Sequence, residues 1–163
     1  MSPAPAEGNK LTNTIIIATS TFFYIGYLPF IPGTFGSLVG LGLFYLMKNN
    51  GLNLAVLTFV VTILGFLVAG RAEEILKIKD SRHIVIDEIS GMLLSLIFLP
   101  YDIKVVLAAF FLFRLLDSLK PYPAGLLQNL KGSKGVMLDD IVAGLYTNII
   151  LQVALRWASF KAS

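Results

Sequence analysis

The sequence has no cysteine and few charged residues, and these two scarcities exclude several classes of protein. Without thiols there can be no disulfide, no thiolate metal site and no cysteine nucleophile. Charged residues make up 14% of the 163 residues and hydrophobic residues 56%. So few charges could not cover the surface of a soluble domain, so a soluble enzyme and a disordered chain are both disfavoured. The net charge of +3 comes from dispersed basic residues, which gives no support for nucleic-acid binding.

Long apolar runs predict an all-α fold, a polytopic membrane-embedded helical bundle that occupies residues 1–163 as one domain, with a tail over 1–13. Backbone groups in lipid need internal partners, so such runs are expected to be helices. The five predicted transmembrane helices cover 36–47, 52–70, 84–99, 103–116 and 141–158. A further run at 15–28 leads into prolines and glycines that break a helix. We expect an interfacial or re-entrant helix there, and a sixth span is the alternative.

The distribution of basic residues predicts the orientation. The side of the membrane reached after the run 52–70 is predicted to carry Arg71, Lys77, Lys79, Arg82, Arg114, Lys120, Lys131 and Lys134. The opposite side is predicted to carry only Lys48, Lys104, Arg156 and Lys161. By the positive-inside rule, the first side is cytoplasmic.

Acidic residues gather where three predicted spans end on that cytoplasmic side: Asp87, Glu88, Asp117, Asp139 and Asp140. Carboxylates bordering the hydrocarbon are costly and usually functional, and they repel each other unless a cation or a proton neutralises them. Helix capping is an alternative for Asp87 and Asp139. Capping explains neither the second acid beside each of them nor Asp117 at a helix C-terminus. Carboxylates without thiolates favour a hard ion such as Mg²⁺.

Groups suited to a phosphate accompany these acids. Arg114 lies three residues before Asp117 on one helix face, although a self-neutralising ion pair is the alternative. Lys120 comes one turn later, and residues 132–135 (Gly-Ser-Lys-Gly) are expected to form a flexible basic loop just before Asp139. The segment 32–37 resembles an anion-holding turn at a helix start.

Two glycines and the single histidine complete the candidate residues. Gly91 and Gly144 each follow an acid by four residues, which predicts a close helix approach that brings the acidic ends together. We interpret His83 as a solvated or interfacial side chain.

Four motifs occur in order: Pro-Gly-Thr-Phe-Gly-Ser (32–37), Ile-Val-Ile-Asp-Glu-Ile-Ser-Gly-Met (84–92), Phe-Arg-Leu-Leu-Asp-Ser-Leu-Lys-Pro-Tyr-Pro (113–123) and Gly-Val-Met-Leu-Asp-Asp-Ile-Val-Ala-Gly (135–144). Together they resemble the phosphatidylglycerophosphatase A family of bacterial membrane lipid phosphatases, over about residues 29–146. Asp80 resembles the family's acid ahead of the Asp-Glu pair. The stretch 81–83 departs from the expected forms.

The resemblance implies Mg²⁺-dependent removal of the terminal phosphate of phosphatidylglycerophosphate, giving phosphatidylglycerol for phospholipid biosynthesis at the bacterial cytoplasmic (inner) membrane. On this hypothesis the catalytic residues are Asp80, Asp87, Glu88, Asp139 and Asp140. The metal ligands are Asp87, Asp117, Asp139 and Asp140, and the substrate-binding residues are Thr34, Ser37, Arg114 and Lys120. Glu88 or Asp80 activates a water, and a phosphoaspartate intermediate is the alternative.

Two other functions are alternatives. A headgroup transferase of the CDP-alcohol type would carry an Asp-x-x-Asp-Gly pattern, which is absent from the sequence. A non-enzymatic transporter would place charges near the midplane rather than at one face. The expected partners are a lipid phosphate and the bilayer. The glycine faces permit an oligomer without requiring one.

Overall fold

The computed structural model describes residues 9–47, 50–79 and 81–162, and these contain seven α-helices and no strand. The helices are α1 (Lys10–Ser20), α2 (Pro32–Leu46), α3 (Gly51–Leu76), α4 (Ile86–Leu96), α5 (Ile103–Leu119), α6 (Ala124–Leu127) and α7 (Ser133–Ala162). The predicted all-α class is confirmed.

Only two of the described helices, α3 and α7, are long and apolar enough to cross a membrane, judged by length and composition. α3 has 26 residues, which gives it a length of ~39 Å. α4 has 11 residues, and its length of ~16 Å is about half the thickness of a bilayer core. The five predicted transmembrane helices are therefore not confirmed.

α4 is the helix that the others surround. It contacts α2, α3, α5 and α7, and nine of its residues are buried. A helix that is buried on all sides is largely apolar on every face, and so is a span that faces lipid. For this reason the sequence predicts a span over 84–99, which is longer than the helix that forms there. α4 ends at Leu96, ahead of Pro100, which cannot continue a helix.

α7 begins earlier than predicted. Its first residue is Ser133, whose Oγ accepts a hydrogen bond of 2.8 Å from the Gly70 N–H. The expected basic loop over 132–135 is therefore wrong beyond Gly132. Asp139 lies inside the helix rather than at its start, so the capping alternative is wrong for that residue.

The N-terminal run breaks earlier than the sequence predicts: the helix ends at Ser20, inside the run 15–28, whereas Pro32 begins α2 and Gly33 and Gly36 lie within it. α1 packs along α3 and ends at Ser20, and the backbone at Phe22, Phe23 and Tyr24 has positive φ angles. A 3-10 turn, Ile25–Tyr27, then leads towards α2. The interfacial or re-entrant placement of this segment stays a prediction.

Gly91 and Gly144 form the predicted close approach of α4 and α7. A Cβ atom on Gly144 would lie 2.5 Å from the Gly91 carbonyl oxygen, and one on Gly91 would lie 2.7 Å from the Asp140 carbonyl oxygen. Real Cβ atoms do not approach backbone this closely, so any larger residue at either position must push the helices apart.

Replacement of Gly144 by alanine should therefore destabilise the protein by about 1–3 kcal/mol through overpacking. Gly42→Ala is the matched control, because a Cβ on Gly42 of α2 meets nothing within 4 Å. Thermal unfolding in detergent measures both. Equal melting temperatures for the two variants would contradict the close approach.

Candidate active site

Three carboxyl groups from two helices converge at the N-terminal end of α4. Asp87 and Glu88 lie in the first turn of α4, and Asp140 lies on α7. One carboxylate oxygen of each residue lies within 4.8 Å of the other two. We call these residues the acidic trio. The Gly91–Gly144 approach, one turn further along both helices, brings them together.

The acidic trio has oxygen atoms without partners. Asp87 Oδ1, Glu88 Oε2 and Asp140 Oδ2 are buried, and none has a hydrogen-bond partner among the described residues. Buried polar atoms are nearly always satisfied, so orphans at one point indicate a missing ligand. An all-oxygen donor set of this kind suits a hard divalent cation such as Mg²⁺. These residues can therefore hold a metal ion.

Asp139 is neutralised separately from the trio. Lys120 ends α5 with a positive φ angle, and its ammonium group donates a hydrogen bond to Asp139 Oδ2. Burial acts to lower the pKa of Lys120, but the hydrogen bond and the charge of Asp139 outweigh burial and raise the pKa above its ordinary value. Lys120 is therefore a permanent cation beside the trio.

Asp117 also has a cationic neighbour. Arg114 Nη1 lies 2.9 Å from Asp117 Oδ2, and this i,i+3 pair on α5 is only partly exposed. That nitrogen has no hydrogen bond of good geometry within the described residues. The Asp117 carboxyl interacts with Asp140, and the Arg114 charge acts on Glu88. The predicted Arg114–Asp117 pair is thus part of the site.

The start of α2 borders the site on another side. A Cβ on Gly33 would overlap Glu88 Oε1 and would lie 3.2 Å from Arg114 Nη2. Thr34 is half-buried in the same turn, and its N–H donates to the Ile31 carbonyl at 3.1 Å. Ser37 is buried, and its hydroxyl donates to the Gly33 carbonyl at 3.0 Å. Gly33, which the sequence analysis did not single out, therefore comes closest to the acids.

The structure brings together most of the residues predicted for the site but groups them differently. Of the four predicted metal ligands, Asp87 and Asp140 lie in the acidic trio, whereas Asp117 and Asp139 lie beside cations. Glu88, predicted as a base, completes the trio. Glu88 is influenced by the charges of Asp140 on α7 and of Arg114 on α5. Spacing along α4 alone could not predict these neighbours from other helices.

Two further candidates remain, Asp80 and His83. Asp80 falls outside the described residues. His83 is half-buried away from the trio, with Nδ1 3.0 Å from the Gly26 carbonyl oxygen and its ring stacked on Tyr27 at 4.5 Å. The imidazole is therefore an anchor for the 3-10 turn.

Comparison with known proteins defines the class of this protein as a phosphatase, an enzyme that hydrolyses phosphoric monoesters. The family model Phosphatidylglycerophosphatase A matches residues 18–155, most of the chain. The chain belongs to the phosphatidylglycerophosphatase A family, and the resemblance deduced from the four motifs is confirmed. This membership favours neither the headgroup transferase nor the transporter.

Three relatives cover nearly the whole chain. A Bacteroides thetaiotaomicron protein with the provisional name phosphatidylinositol-3-phosphatase is 35% identical over 91% of this chain and 98% of its own length. Phosphatidylglycerophosphatase A of Escherichia coli is 37% identical over 79% and 77% of the two chains. The Haemophilus influenzae enzyme of the same name is 32% identical over 83% and 85%. No solved structure matches the chain.

The contact of Gly33 with Glu88 gives a test of the site geometry. Gly33→Ala should displace the flexible Glu88 carboxylate and lower phosphatase activity by about 10- to 100-fold, because small misplacements in a reacting site are costly. Stability should change little, since a carboxylate can move more easily than backbone. Phosphate release and melting temperature measure the two effects. Activity equal to that of the Gly42→Ala control would count against the assigned contact.

Proposed function

We propose that this protein is a Mg²⁺-dependent phosphatidylglycerophosphate phosphatase that releases inorganic phosphate and leaves phosphatidylglycerol in the membrane. The single observation that carries the proposal is the acidic trio: one oxygen of each carboxylate lies within 4.8 Å of the other two, and each residue has a buried oxygen without a partner. Two cationic side chains stand beside it. Such an arrangement supports the binding of a metal ion together with a phosphate group.

In this proposal Asp87, Glu88 and Asp140 hold the ion, which supplies Lewis-acid stabilisation of charge on the phosphoryl oxygens when bound. Arg114 binds the phosphate, because a guanidinium can donate two parallel hydrogen bonds to it. Lys120 adds a fixed positive charge. Asp117 and Asp139 hold these two cations in place. The half-buried Thr34 at the start of α2 contacts the far side of the phosphate, and Ser37 stabilises that turn.

The attack on phosphorus requires a base or an aspartate nucleophile. Glu88 supports the first route, because one of its oxygens can hold the ion while the buried, unpartnered Oε2 accepts a proton from water. Asp80, the other candidate base, lies outside the described residues. A phosphoaspartate intermediate is the second route. Inversion of configuration at a chiral isotopically labelled phosphoryl group would indicate direct attack by water, and retention would indicate a phosphoaspartate intermediate.

We propose a multi-pass location in the bacterial inner membrane with the site facing the cytoplasm. Large apolar side chains are exposed along α3, α5 and α7, as expected where the solvent is lipid: Leu52, Val56, Phe59, Ile63, Leu67, Ile103, Leu107, Phe111, Leu115, Ile149 and Val153. The excess of basic residues near the acidic end supports the cytoplasmic orientation.

The relatives name two lipid substrates, both of which carry a terminal phosphate monoester on a headgroup. Two relatives are named for phosphatidylglycerophosphate and one for a phosphoinositide. We favour phosphatidylglycerophosphate because the family model carries the same name. An open, half-buried site at a helix end is compatible with either headgroup, so the choice needs measurement.

Removal of a trio carboxylate should abolish activity. Asp87→Asn and Asp140→Asn each keep the side-chain volume but lose the charge that holds the ion, so phosphate release should fall by about 100-fold or more. Asp102→Asn is the matched control, because Asp102 caps the start of α5 and asparagine is an equally good cap. Near-normal release by both trio variants would overturn the proposed site.

Metal and substrate dependence can be measured together. Purified protein in mixed micelles should release phosphate from phosphatidylglycerophosphate with Mg²⁺, lose activity in EDTA, and regain it when Mg²⁺ is restored. Phosphatidylinositol 3-phosphate and phosphatidate should be hydrolysed more slowly. Full activity in EDTA would refute the metal assignment alone. Faster hydrolysis of another lipid would refute the substrate assignment alone.

A further inference from the structure

Asn148 joins the far end of α4 to α7, away from the acids. Its side-chain amide donates one hydrogen bond to the Ser95 carbonyl at 3.0 Å and another to the Ile97 carbonyl at 2.8 Å. Both amide hydrogens are thereby used. The last carbonyls of a helix have no partner within that helix, and here one side chain from a neighbouring helix satisfies two of the carbonyls at the end of α4.

The orientation of this amide is itself fixed. Gln152, one turn further along α7, donates a hydrogen bond of 2.8 Å from Nε2 to Asn148 Oδ1. The oxygen of Asn148 therefore points along α7 and the nitrogen points at α4. The pair forms a small polar network, and Ser95, which it contacts, is fully buried.

Asp140, Gly144 and Asn148 follow one another at four-residue spacing and so share one face of α7. Along that face α4 meets first the acid, then the close glycine approach and last the amide. The side-chain groups of α7 that act on α4 along this face thus lie at its two ends, with apolar packing and the glycine contact between them.

The acidic end cannot set the register of α4 against α7 by itself, because carboxylates repel each other without a bound cation. We propose that Asn148 is a positioning residue for the acidic trio: by anchoring the C-terminus of α4 it holds Asp87 and Glu88 opposite Asp140 before a metal ion binds. This inference rests on the proposed function for the identity of the site, but the role it assigns to Asn148 is separate.

Asn148→Leu keeps a similar volume and removes both donors. The concentration of Mn²⁺ at half-saturation, measured by electron paramagnetic resonance on the detergent-solubilised full chain, should rise about tenfold or more, as for residues that orient metal ligands. The Mg²⁺ concentration for half-maximal phosphate release should rise in parallel. At saturating Mg²⁺, the phosphatase activity of Asn148→Leu should return to most of the activity of the unaltered protein, because the bound cation then holds the trio carboxylates together.

Thr147→Val is the matched control. Thr147 is a buried neighbour on α7 whose hydroxyl donates within the helix to the Ala143 carbonyl at 2.9 Å. This variant loses one buried hydrogen bond, and its Mn²⁺ affinity should be unchanged. Gln152→Leu keeps the Asn148 amide but removes the hydrogen bond that fixes its orientation. The Mn²⁺ concentration at half-saturation should therefore rise by a smaller factor than in Asn148→Leu.

An Asn148→Leu protein that folds and binds Mn²⁺ with unchanged affinity would overturn the positioning role. If Asn148→Leu does not fold, unchanged Mn²⁺ affinity of Gln152→Leu overturns it instead. Measurements on the unaltered protein distinguish failure of this inference from failure of the proposed function. If that protein binds Mn²⁺ but hydrolyses no lipid phosphate, the proposed function is refuted and the positioning test stays valid.

Discussion

The constraint on which the rest of the structure depends is the repulsion among five largely buried carboxyl groups that meet around the first turn of α4. Two of them, Asp139 and Asp117, are offset by Lys120 and Arg114. The acidic trio is the part of this group that has no paired cation, and one oxygen of each of its carboxylates lies within 4.8 Å of the other two. Had every carboxylate a cationic partner within the chain, no such group would remain, so the trio suits a cation supplied from outside.

Packing of the helices around α4 opposes this repulsion between carboxyl groups. α4 is surrounded by four helices, so its first turn cannot move away from α7 without disturbing the core around Ile89, Met92 and Leu93. The glycine contact brings the two backbones close enough for short acidic side chains to meet. A partly buried hydrogen bond of 2.6 Å between the Thr62 and Ser90 hydroxyls ties α4 to α3 as well. Packing of apolar surface thus holds charges where electrostatics alone would separate them.

The sequence predicts which residues form the candidate site better than it predicts how long the helices are or which charged side chains pair. The all-α class, the Gly91–Gly144 approach and the convergence of acids follow from composition, spacing and alternation of chain direction. The helical extent of α4 does not, because a core helix and a lipid-facing span have the same apolar composition. The division of five acids into a trio and two ion pairs depends on how α5 and α7 are rotated about their axes. Spacing within one helix contains no information about that rotation.

The position of the site along the length of α3 explains why the cations Arg114 and Lys120 lie beside the acids. Gly65 of α3 faces Met137 and Ile86, so the first turn of α4 lies beside the middle of α3 rather than at its end. The remaining 11 residues of α3, up to Leu76, extend ~16 Å beyond that level. Nearby side chains on its outer surface, Ile63 and Leu67, are exposed and apolar. If α3 crosses the bilayer as proposed, a phosphate that reaches the trio leaves bulk water, and fixed positive charges beside the metal site offset part of the hydration that the dianion loses. Arg114 and Lys120, held by their own carboxylates at that depth, meet this need without rearrangement, which is why each cation is paired beside the trio instead of standing alone at the surface.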